Sequence, residues 1–425
     1  MAEYRPRIAD SLIERSLQTF GAVILQGPRA AGKTTSGLHF STSSVRLDAD
    51  PGLLSLASAS PQTVLSGNTP RLIDEWQLAP SLWNVVRHEV DNRREPGQFI
   101  LTGSAVPADD VTRHSGAGRF RRITMRPMTL SESGEGTQSV VFESLFAGEK
   151  PSGMGGPEIA DYAELIVRGG WPALISRPVD VAYDYLSSYL EDIALIDLPQ
   201  MDVRADPQRM QALIRAVARN TATEVGVAKL AREADIQPTN DGEEVNQTGV
   251  SEKTARKYLD ALSRVFVLEE QPAWSPHLRS KVRLRTHAKW HFIDPSLAAA
   301  ALNASSQTLL REPNTLGLLF ESLAIRDLRV LADRIQGSVF HYRDETGLEV
   351  DAIVERRDGS WIALEVKLGG EKPIHNAAKH LLQLSRKVSD QRRAELKSLN
   401  VITAGQTSYA RSDGVNVIAL SHLTL

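Results

Sequence analysis

A glycine-rich loop with a lysine and two threonines lies near the start of the chain. It consists of Gly27, Pro28, Arg29, Ala30, Ala31, Gly32, Lys33, Thr34 and Thr35. The order GxxxxGK[ST] follows an apolar stretch at residues 22–25 and precedes a helical pattern, which is the context that a phosphate-binding loop requires. In such a loop the backbone N–H groups bind the phosphates, Lys33 reaches the β- and γ-phosphates, and the Thr34 hydroxyl binds Mg²⁺. These residues predict a site for ATP and Mg²⁺.

An acidic pair, Asp74 and Glu75, follows the apolar residues Leu72 and Ile73 at a predicted strand end. An ATPase needs carboxylates beside its phosphate loop, where Asp74 would hold Mg²⁺ through water and Glu75 would polarise the attacking water. Such a pair also commonly caps a helix. Its position between the phosphate loop and another buried strand favours the catalytic interpretation.

That next strand lies in the segment QFILTGSA and ends in Thr102, Gly103 and Ser104. Polar groups at the carboxyl ends of central parallel strands face the ligand crevice. We therefore expect Thr102 or Ser104 to contact the γ-phosphate, with a simple turn that carries a solvated hydroxyl as the alternative.

A second set of reactive residue types lies in EVDAIVERRDGSWIALEVK, residues 349–367. Asp358 and Gly359 predict a hairpin turn, and the strand period of two places Glu365 and Lys367 on one face, opposite the core. The hairpin would bring Asp351 beside them. Carboxylate oxygens suit Mg²⁺ at a scissile phosphate, and a lysine can orient the attacking water. A solvated outer face would show the same alternation.

Across its whole length the chain resembles the prokaryotic AAA+-like P-loop ATPases that carry a C-terminal domain of unknown function. The matching stretches are YRPR, GPRAAGKTT, LIDEWQLAP, ILTGSA, GRFRRITMRPMTLSE and RGGWPALI. The resemblance implies a homo-oligomer in which an arginine of one subunit reaches the γ-phosphate of its neighbour, with Arg119 as the first candidate. Arg121 and Arg122 fit a solvated strand face or a phosphate-backbone contact.

The pattern D…ExK across the hairpin, after a helix that carries Glu321, resembles the restriction-endonuclease-like superfamily. By this resemblance Asp351 and Glu365 match its metal-binding carboxylates, and Lys367 matches its catalytic lysine. Glu321 matches an acidic residue on its first helix. The resemblance implies Mg²⁺-dependent cleavage of DNA, although a retained fold does not by itself establish activity.

Three helical patterns between residues 207 and 265, followed by a β-rich stretch, have the order of a winged helix. The connection at residues 237–248, QPTNDGEEVNQT, is much longer than the usual turn before a recognition helix. A basic alternation follows it at Lys281, Arg283, Arg285, His287 and Lys289. On a strand these side chains share one face and would form a DNA-binding ridge. The alternatives are protection of an edge strand and coverage by acidic groups of another domain.

The composition sets limits on these hypotheses. The 425 residues carry a net charge of -3, so the protein has no global positive field that would draw it to nucleic acid. Zero cysteines exclude disulfides, thiolate zinc sites and cysteine nucleophiles. A polar N-terminal segment and no apolar run of about 18 residues predict a cytoplasmic protein without a membrane partner.

We therefore expect an α/β chain of three domains. An AAA+-like P-loop ATPase domain with a parallel sheet would occupy residues 1–150, a helical and winged-helix domain residues 157–305, and a restriction-endonuclease-like α/β domain residues 306–425. The leading hypothesis is an ATPase whose nucleotide state controls a DNA-engaging, nuclease-like C-terminal half in DNA processing or defence. The alternative is a nucleotide-dependent switch that binds a protein partner or DNA and keeps the nuclease-like fold as an inactive scaffold.

Overall fold

The computed structural model of the chain describes residues 4–105, 116–197, 206–238, 244–246, 250–275 and 287–425. It has two compact units, Met1–Pro127 with Leu262–Val267, and Met128–Ala261 with Leu268–Leu425. Residues 128–150, which the sequence places at the end of the first domain, belong to the second unit, and the predicted boundary after residue 305 lies inside that unit. None of the helices in the described ranges has the length and apolar character needed to cross a membrane.

The first unit is built on a parallel five-stranded sheet with the order β2-β3-β4-β1-β5. Its strands are β1 (Ala22–Gln26), β2 (Ser43–Arg46), β3 (Arg71–Asp74), β4 (Phe99–Gly103) and β5 (Phe120–Thr124). Its helices are α1 (Asp10–Leu17), α2 (Lys33–Phe40), α3 (Pro51–Ala59), α4 (Pro61–Leu65) and α5 (Leu82–Arg93). This confirms the predicted parallel sheet in the N-terminal region.

Alternating side chains of the central strand explain why both faces of this sheet are covered. Ala22 and Ile24 of β1 pack into one apolar cluster with Trp76 and Trp83. Val23 and Leu25 face the other side, where Ile13 of α1 covers them. Strands that are buried on both faces read as continuous apolar runs, as this one does.

The second unit begins with helical segments and short strands. The helices are α6 (Leu130–Ser133), α7 (Ile159–Arg168), α8 (Val179–Asp192), α9 (Pro207–Arg219), α10 (Val227–Asp235), α11 (Glu252–Arg264), α12 (Pro295–Ala301), α13 (Ser306–Arg311), α14 (Pro313–Arg334), α15 (Glu371–Lys387) and α16 (Asp390–Glu395). The strands of its first half are β6 (Val140–Val141), β7 (Gly153–Met154), β8 (Ile236–Pro238), β9 (Glu244–Asn246), β10 (Leu268–Gln271) and β11 (Lys289–Phe292).

A seven-stranded mixed sheet of the order β12-β13-β14-β15-β17-β16-β7 forms the C-terminal part of this unit. Its remaining strands are β12 (Gly337–Arg343), β13 (Glu349–Arg356), β14 (Trp361–Lys367), β15 (Leu396–Thr403), β16 (Thr407–Ala410) and β17 (Asn416–Ala419), and β18 (Leu423–Thr424) pairs with β6. Helix α14 packs on β12 and β14, and α15 packs on β14 and β15. The apolar core between α15 and the sheet includes Trp274, Trp361 and Leu381.

The helical region has the predicted order of three helices, α9 to α11, followed by an antiparallel pair of strands, β10 and β11. The long connection predicted before α11 contains an antiparallel ribbon of β8 and β9. Strand β11 begins at Lys289. The predicted strand residues Lys281, Arg283 and Arg285 lie outside the described residues.

Candidate functional site

The glycine-rich loop follows β1 and leads into α2, as its sequence predicts. Gly27 has a φ of 149°, and a Cβ atom there would lie 2.2 Å from the carbonyl oxygen of Met125. Gly32 precedes α2 with a φ of 93°, a left-handed conformation that glycine adopts without steric cost. Any larger side chain at Gly27 would collide with backbone, so the path of this loop depends on its glycines.

Lys33 is the first residue of α2, and its side chain is 5 % exposed. Its ammonium group folds back on the loop and donates a 2.6 Å hydrogen bond to the carbonyl oxygen of Pro28. Burial lowers the pKa of Lys33 to about 8, against the opposing effects of Glu75 and Asp74. The loop thus holds a buried cation whose hydrogen-bond partner is a neutral carbonyl.

Thr34 and Asp74 lie together at the carboxyl edge of the sheet. The Thr34 hydroxyl donates to Asp74 Oδ1 at 2.8 Å, and the Thr102 hydroxyl at the end of β4 donates to the same oxygen. Asp74 is 1 % exposed, and Arg46 Nε lies 3.5 Å from its Oδ2. A hydroxyl next to a carboxylate beside a phosphate loop is the donor set that Mg²⁺ bound to ATP requires, so these residues fit the predicted cofactor.

Glu75 follows Asp74 directly and has a left-handed backbone with a φ of 57°. Its carboxylate accepts a hydrogen bond from the Gln77 side-chain amide. The same amide nitrogen lies 3.5 Å from the hydroxyl of Ser104. Thr102 therefore contacts Asp74, whereas Ser104 lies near the Gln77 amide that binds Glu75. A strained non-glycine backbone at such a position is a pointer to function rather than proof of it.

Arg7 contacts the phosphate loop, a role that its place in YRPR did not indicate. Its guanidinium donates to the Ala31 carbonyl at 2.9 Å and to the Arg126 carbonyl at 2.7 Å. Arg7 is 7 % exposed. It joins the loop to the residue two positions after β5, and the signal that could have revealed it is an arginine just before the first helix.

Arg119 lies just before β5, at the amino edge of the sheet. Its backbone oxygen accepts from the amide of Ala22 at the start of β1, and its side chain forms a 2.7 Å ion pair with Asp91. Because β1 and β5 are parallel, Arg119 lies at the edge opposite the phosphate loop of its own chain.

The predicted hairpin of β13 and β14 is present, and Ala352 lies opposite Leu364. It brings the three motif residues together. Lys367 Nζ lies 3.0 Å from Asp351 Oδ2 and 2.7 Å from Glu365 Oε2. His380 of α15, which no sequence signal indicated, also reaches this group: its Nδ1 lies 3.3 Å from Glu365 Oε1.

The predicted position of Glu365 opposite the core was wrong. Glu365 is 2 % exposed, because α15 covers the face of the sheet on which it lies. The strand period gave the correct pairing with Lys367, but it could not reveal that a helix would cover this face as well.

Lys289 is the main departure from the predicted basic ridge. It is 1 % exposed, and its ammonium group lies 2.9 Å from Glu321 Oε1, 2.9 Å from Glu349 Oε1 and 3.8 Å from Asp351 Oδ1. Lys289 therefore points into the unit and pairs with carboxylates, so it cannot contact phosphates as predicted. For Lys289, the alternative interpretation is closer to the structure: acidic groups cover the basic strand at this residue.

Charge and burial compete within this lysine–carboxylate cluster, which we define as Lys289, Glu321, Glu349, Asp351, Glu365 and Lys367. Burial acts to lower the pKa of Lys289, but Glu321, Asp351 and Glu349 outweigh it and the pKa is raised. Burial acts to raise the pKa of Asp351, but Lys367 and Lys289 outweigh it and the pKa is lowered. At Glu321 and Glu365 the balance is the opposite: burial and the neighbouring Asp351 outweigh the lysines, and the pKa of each carboxyl is raised.

In the part of the chain that the structure describes, no three His, Asp or Glu side chains are arranged to hold a metal ion. Glu321, Asp351 and Glu365 are near one another, but Lys289 and Lys367 lie between them. The predicted three-carboxylate metal site does not fit this arrangement.

The fold and the loop geometry of the first unit define a class of domain, and a family comparison agrees with it. A family model described as an AAA domain matches residues 19–134. These residues form an AAA-type P-loop ATPase domain, the class that binds and hydrolyses ATP. Models described as domains of unknown function, DUF8612 and DUF4143, match residues 159–308 and 316–423.

Individual relatives extend over both units. The chain is 26% identical over 354 residues to "Uncharacterized protein Rv2008c" of Mycobacterium tuberculosis and to "Uncharacterized protein Mb2031c" of Mycobacterium bovis. The match covers 82% of this chain and 71% of each relative. Among solved structures, the Walker-type ATPase PABY2304 of Pyrococcus abyssi aligns with a TM-score of 0.42 and 15% identity, over 71% of this chain and 99% of that one.

Proposed function

We propose that Lys33, Thr34, Asp74 and Glu75 form the ATP-hydrolysing centre of this chain. The observation that carries the proposal is the buried Lys33 ammonium, held by a loop carbonyl beside the Thr34–Asp74 pair. Phosphate oxygens would replace the Pro28 carbonyl as the partner of Lys33. Such an exchange stabilises the charge on the transferred phosphoryl group.

The other residues have distinct roles in this proposal. The backbone N–H groups of residues 27–35, except at Pro28, bind the phosphates. Thr34 with Asp74 holds Mg²⁺, which neutralises charge on the β- and γ-phosphates when it is bound. Thr102 fixes the orientation of Asp74. Glu75 orients the attacking water, and Ser104 is the candidate contact of the γ-phosphate.

Two variants test this centre. Lys33→Ala should abolish hydrolysis, and Glu75→Gln should keep nucleotide binding while it lowers turnover at least about 100-fold, since an acid–base group contributes roughly this much. Binding of a fluorescent ATP analogue and phosphate release are the measurements. Glu14→Gln, an exposed site on α1, is the matched control. Turnover in Lys33→Ala equal to that of the wild type would refute the assignment.

We also propose that Arg119 completes the site of a neighbouring subunit, since it lies at the sheet edge opposite its own phosphate loop. AAA-type ATPases often oligomerise, and an arginine that acts in trans is worth about 10³–10⁵ in rate in related chemistry. Mixing inactive Arg119→Ala with inactive Lys33→Ala should restore part of the activity. The mixed oligomer combines an intact loop with an intact arginine. Full activity of Arg119→Ala alone, or mixtures that stay inactive, would count against the role.

For the second unit we propose a winged-helix module that engages DNA through α11, next to a nuclease-like fold. The support is the order of α9, α10, α11 and the strand pair β10–β11, together with the surface of α11. Ala255, Tyr258 and Leu259 are buried, while Lys253 and Lys257 are exposed on the opposite side. An amphipathic helix with a basic outer face can lie against phosphates.

The DNA proposal has a quantitative test. Lys253→Ala and Lys257→Ala should each weaken binding to duplex DNA and reduce the slope of log affinity against log salt by about 1. Lys372→Ala, at an exposed lysine of α15, should leave both unchanged. Affinity should also differ between a non-hydrolysable ATP analogue and ADP. An unchanged salt slope in both α11 variants would favour the alternative, a protein partner.

A further inference from the structure

The lysine–carboxylate cluster contains the motif residues of a nuclease-like site, yet a side chain from another element enters it. Lys289 belongs to β11, and it lies among Glu321 of α14 and Glu349 and Asp351 of β13. An ammonium group has three N–H donors and no acceptor. Glu321 and Glu349 each have a carboxylate oxygen at hydrogen-bond distance from this group, and Asp351 Oδ1 at 3.8 Å adds a longer ion pair. The ammonium group therefore lies where a divalent cation would otherwise meet oxygen ligands.

The oxygens of the two motif carboxylates have partners on all sides. Asp351 Oδ2 accepts from the Val366 amide at 2.8 Å and from Lys367 at 3.0 Å, while Oδ1 faces Lys289. Glu365 Oε2 pairs with Lys367, and Oε1 faces His380. Mg²⁺ binds at about 2.1 Å from each oxygen and requires near-octahedral geometry. It could bind here only after these donors had moved away.

Several buried contacts hold Lys289 in place. The ring of His291 in β11 contacts the hydroxyl of Ser322 in α14 at 2.9 Å and the amide oxygen of Gln271 in β10 at 3.0 Å. The Gln271 amide nitrogen donates to the backbone carbonyl of Asp351 at 2.9 Å. Arg329 of α14 pairs with Glu269 at 2.7 Å. These contacts hold the strand pair β10–β11, and with it the backbone of Lys289, against α14 and β13, so the ammonium group of Lys289 starts from a fixed position beside the cluster.

We propose that Lys289 is an internal cation that replaces a divalent metal ion in this nuclease-like cluster. The cluster then anchors the strand pair β10–β11 to the C-terminal sheet and does not cleave DNA. This inference rests on the nuclease-like assignment of the second unit. Of the two roles considered for that fold, it favours an inactive scaffold over a DNA-cleaving domain.

The direct test is Mn²⁺ binding to the nucleotide-free full chain, followed by the electron paramagnetic resonance signal of free Mn²⁺. All proteins carry Asp74→Asn, which removes the metal ligand proposed for the first unit. The wild-type cluster should bind no more Mn²⁺ than Asp351→Asn or Glu365→Gln. Lys289→Met should gain one Mn²⁺ with an affinity at least about tenfold above the wild-type cluster, and Asp351→Asn in the same protein should remove it.

Two results would overturn the inference. One is Mn²⁺ binding by the wild-type cluster that either Asp351→Asn or Glu365→Gln abolishes, a comparison that needs no folded Lys289 variant. The other is cleavage of linear, circular or single-stranded DNA by the wild-type chain with Mn²⁺ and ATP that Asp351→Asn abolishes. Both results would support the nuclease-like assignment while they reject the role of Lys289. Unchanged ATP hydrolysis and DNA affinity in Lys289→Met with Asp74 intact would show that the functions proposed above stand independently.

Discussion

The chain contains two buried lysines next to carboxylates, and they are stabilised in opposite ways. Lys33 in the phosphate loop donates to the neutral carbonyl of Pro28, and burial lowers its pKa to about 8. Lys289 in the lysine–carboxylate cluster has two carboxylate oxygens at 2.9 Å, and its pKa is raised. Both side chains are almost fully buried, so burial alone does not distinguish their functions.

The difference lies in what each lysine would gain from a ligand. A buried ammonium with a neutral partner has lost much of its hydration energy, and an incoming phosphate would recover it. A buried ammonium among carboxylates has already been compensated by the protein itself. We infer that a lysine poised for an anionic ligand has a lowered pKa, whereas a structural lysine has a raised one.

The largest effect is expected from Lys289→Met. This change leaves the buried Glu321 and Asp351, and the half-exposed Glu349 near them, without their shared cation, and it should lower the free energy of unfolding by about 3–5 kcal/mol. Chemical denaturation of the second unit is the measurement, with Lys372→Met as the control at an exposed lysine. Adding Glu321→Gln should restore part of the loss, because it removes one uncompensated charge. A decrease in the free energy of unfolding below about 1 kcal/mol would mean that Lys289 contributes no more than a lysine in a surface ion pair.

A smaller effect is expected at Arg7, which fixes the phosphate loop from outside. Arg7→Met removes charged donors from the Ala31 and Arg126 carbonyls, and each such hydrogen bond is worth about 1.5–3 kcal/mol. Part of that loss should appear as weaker nucleotide binding, measured by titration calorimetry. Arg15→Met at an exposed position of α1 is the control. Unchanged affinity with lower stability would mean that Arg7 supports the fold and not the loop.

The pH dependence of nucleotide binding sharpens the comparison further. The phosphate requires the charged form of Lys33, whose pKa in the free protein is about 8, and bound phosphates raise that pKa. Affinity should therefore stay high below pH 8 and fall above it, reaching about one tenth of its pH 7 value at pH 9. Calorimetry in buffers of different ionisation enthalpy should detect proton uptake near pH 8. Lys33→Arg should flatten the profile, since arginine does not titrate in this range. A wild-type profile that is flat to pH 9 would contradict the low pKa.

The sequence predicted the first unit well because its signals are local. The loop residues 27–35 combine a turn, a strand end and a helix start within one stretch, so Lys33, Thr34 and the parallel sheet around them could be anticipated. Asp74 and Thr102 followed from the rule that parallel strands end at one edge. Arg7 was missed because its role depends on two carbonyls, Ala31 and Arg126, which lie far from it along the chain.

The second unit was predicted less completely because its key contacts join distant segments. The hairpin and the meeting of Asp351, Glu365 and Lys367 follow from strand period and a turn signal. The insertion of Lys289 does not, since a strand period shows which side chains share a face but not what that face meets. The same alternation that predicted a basic ridge fits a strand whose lysine is neutralised from inside the protein.

The pairing of β6 with β18 joins residues near 140 to residues near 424, and β7 closes the seven-stranded sheet from residues 153–154. During synthesis, the edge of β6 stays uncovered until β18, near the end of the chain, has been made. Pairing between segments so far apart in sequence slows folding. Fragments that start after residue 157 would lose both strands and expose the edge of β16. A fragment intended to carry the C-terminal sheet alone should therefore begin near residue 128.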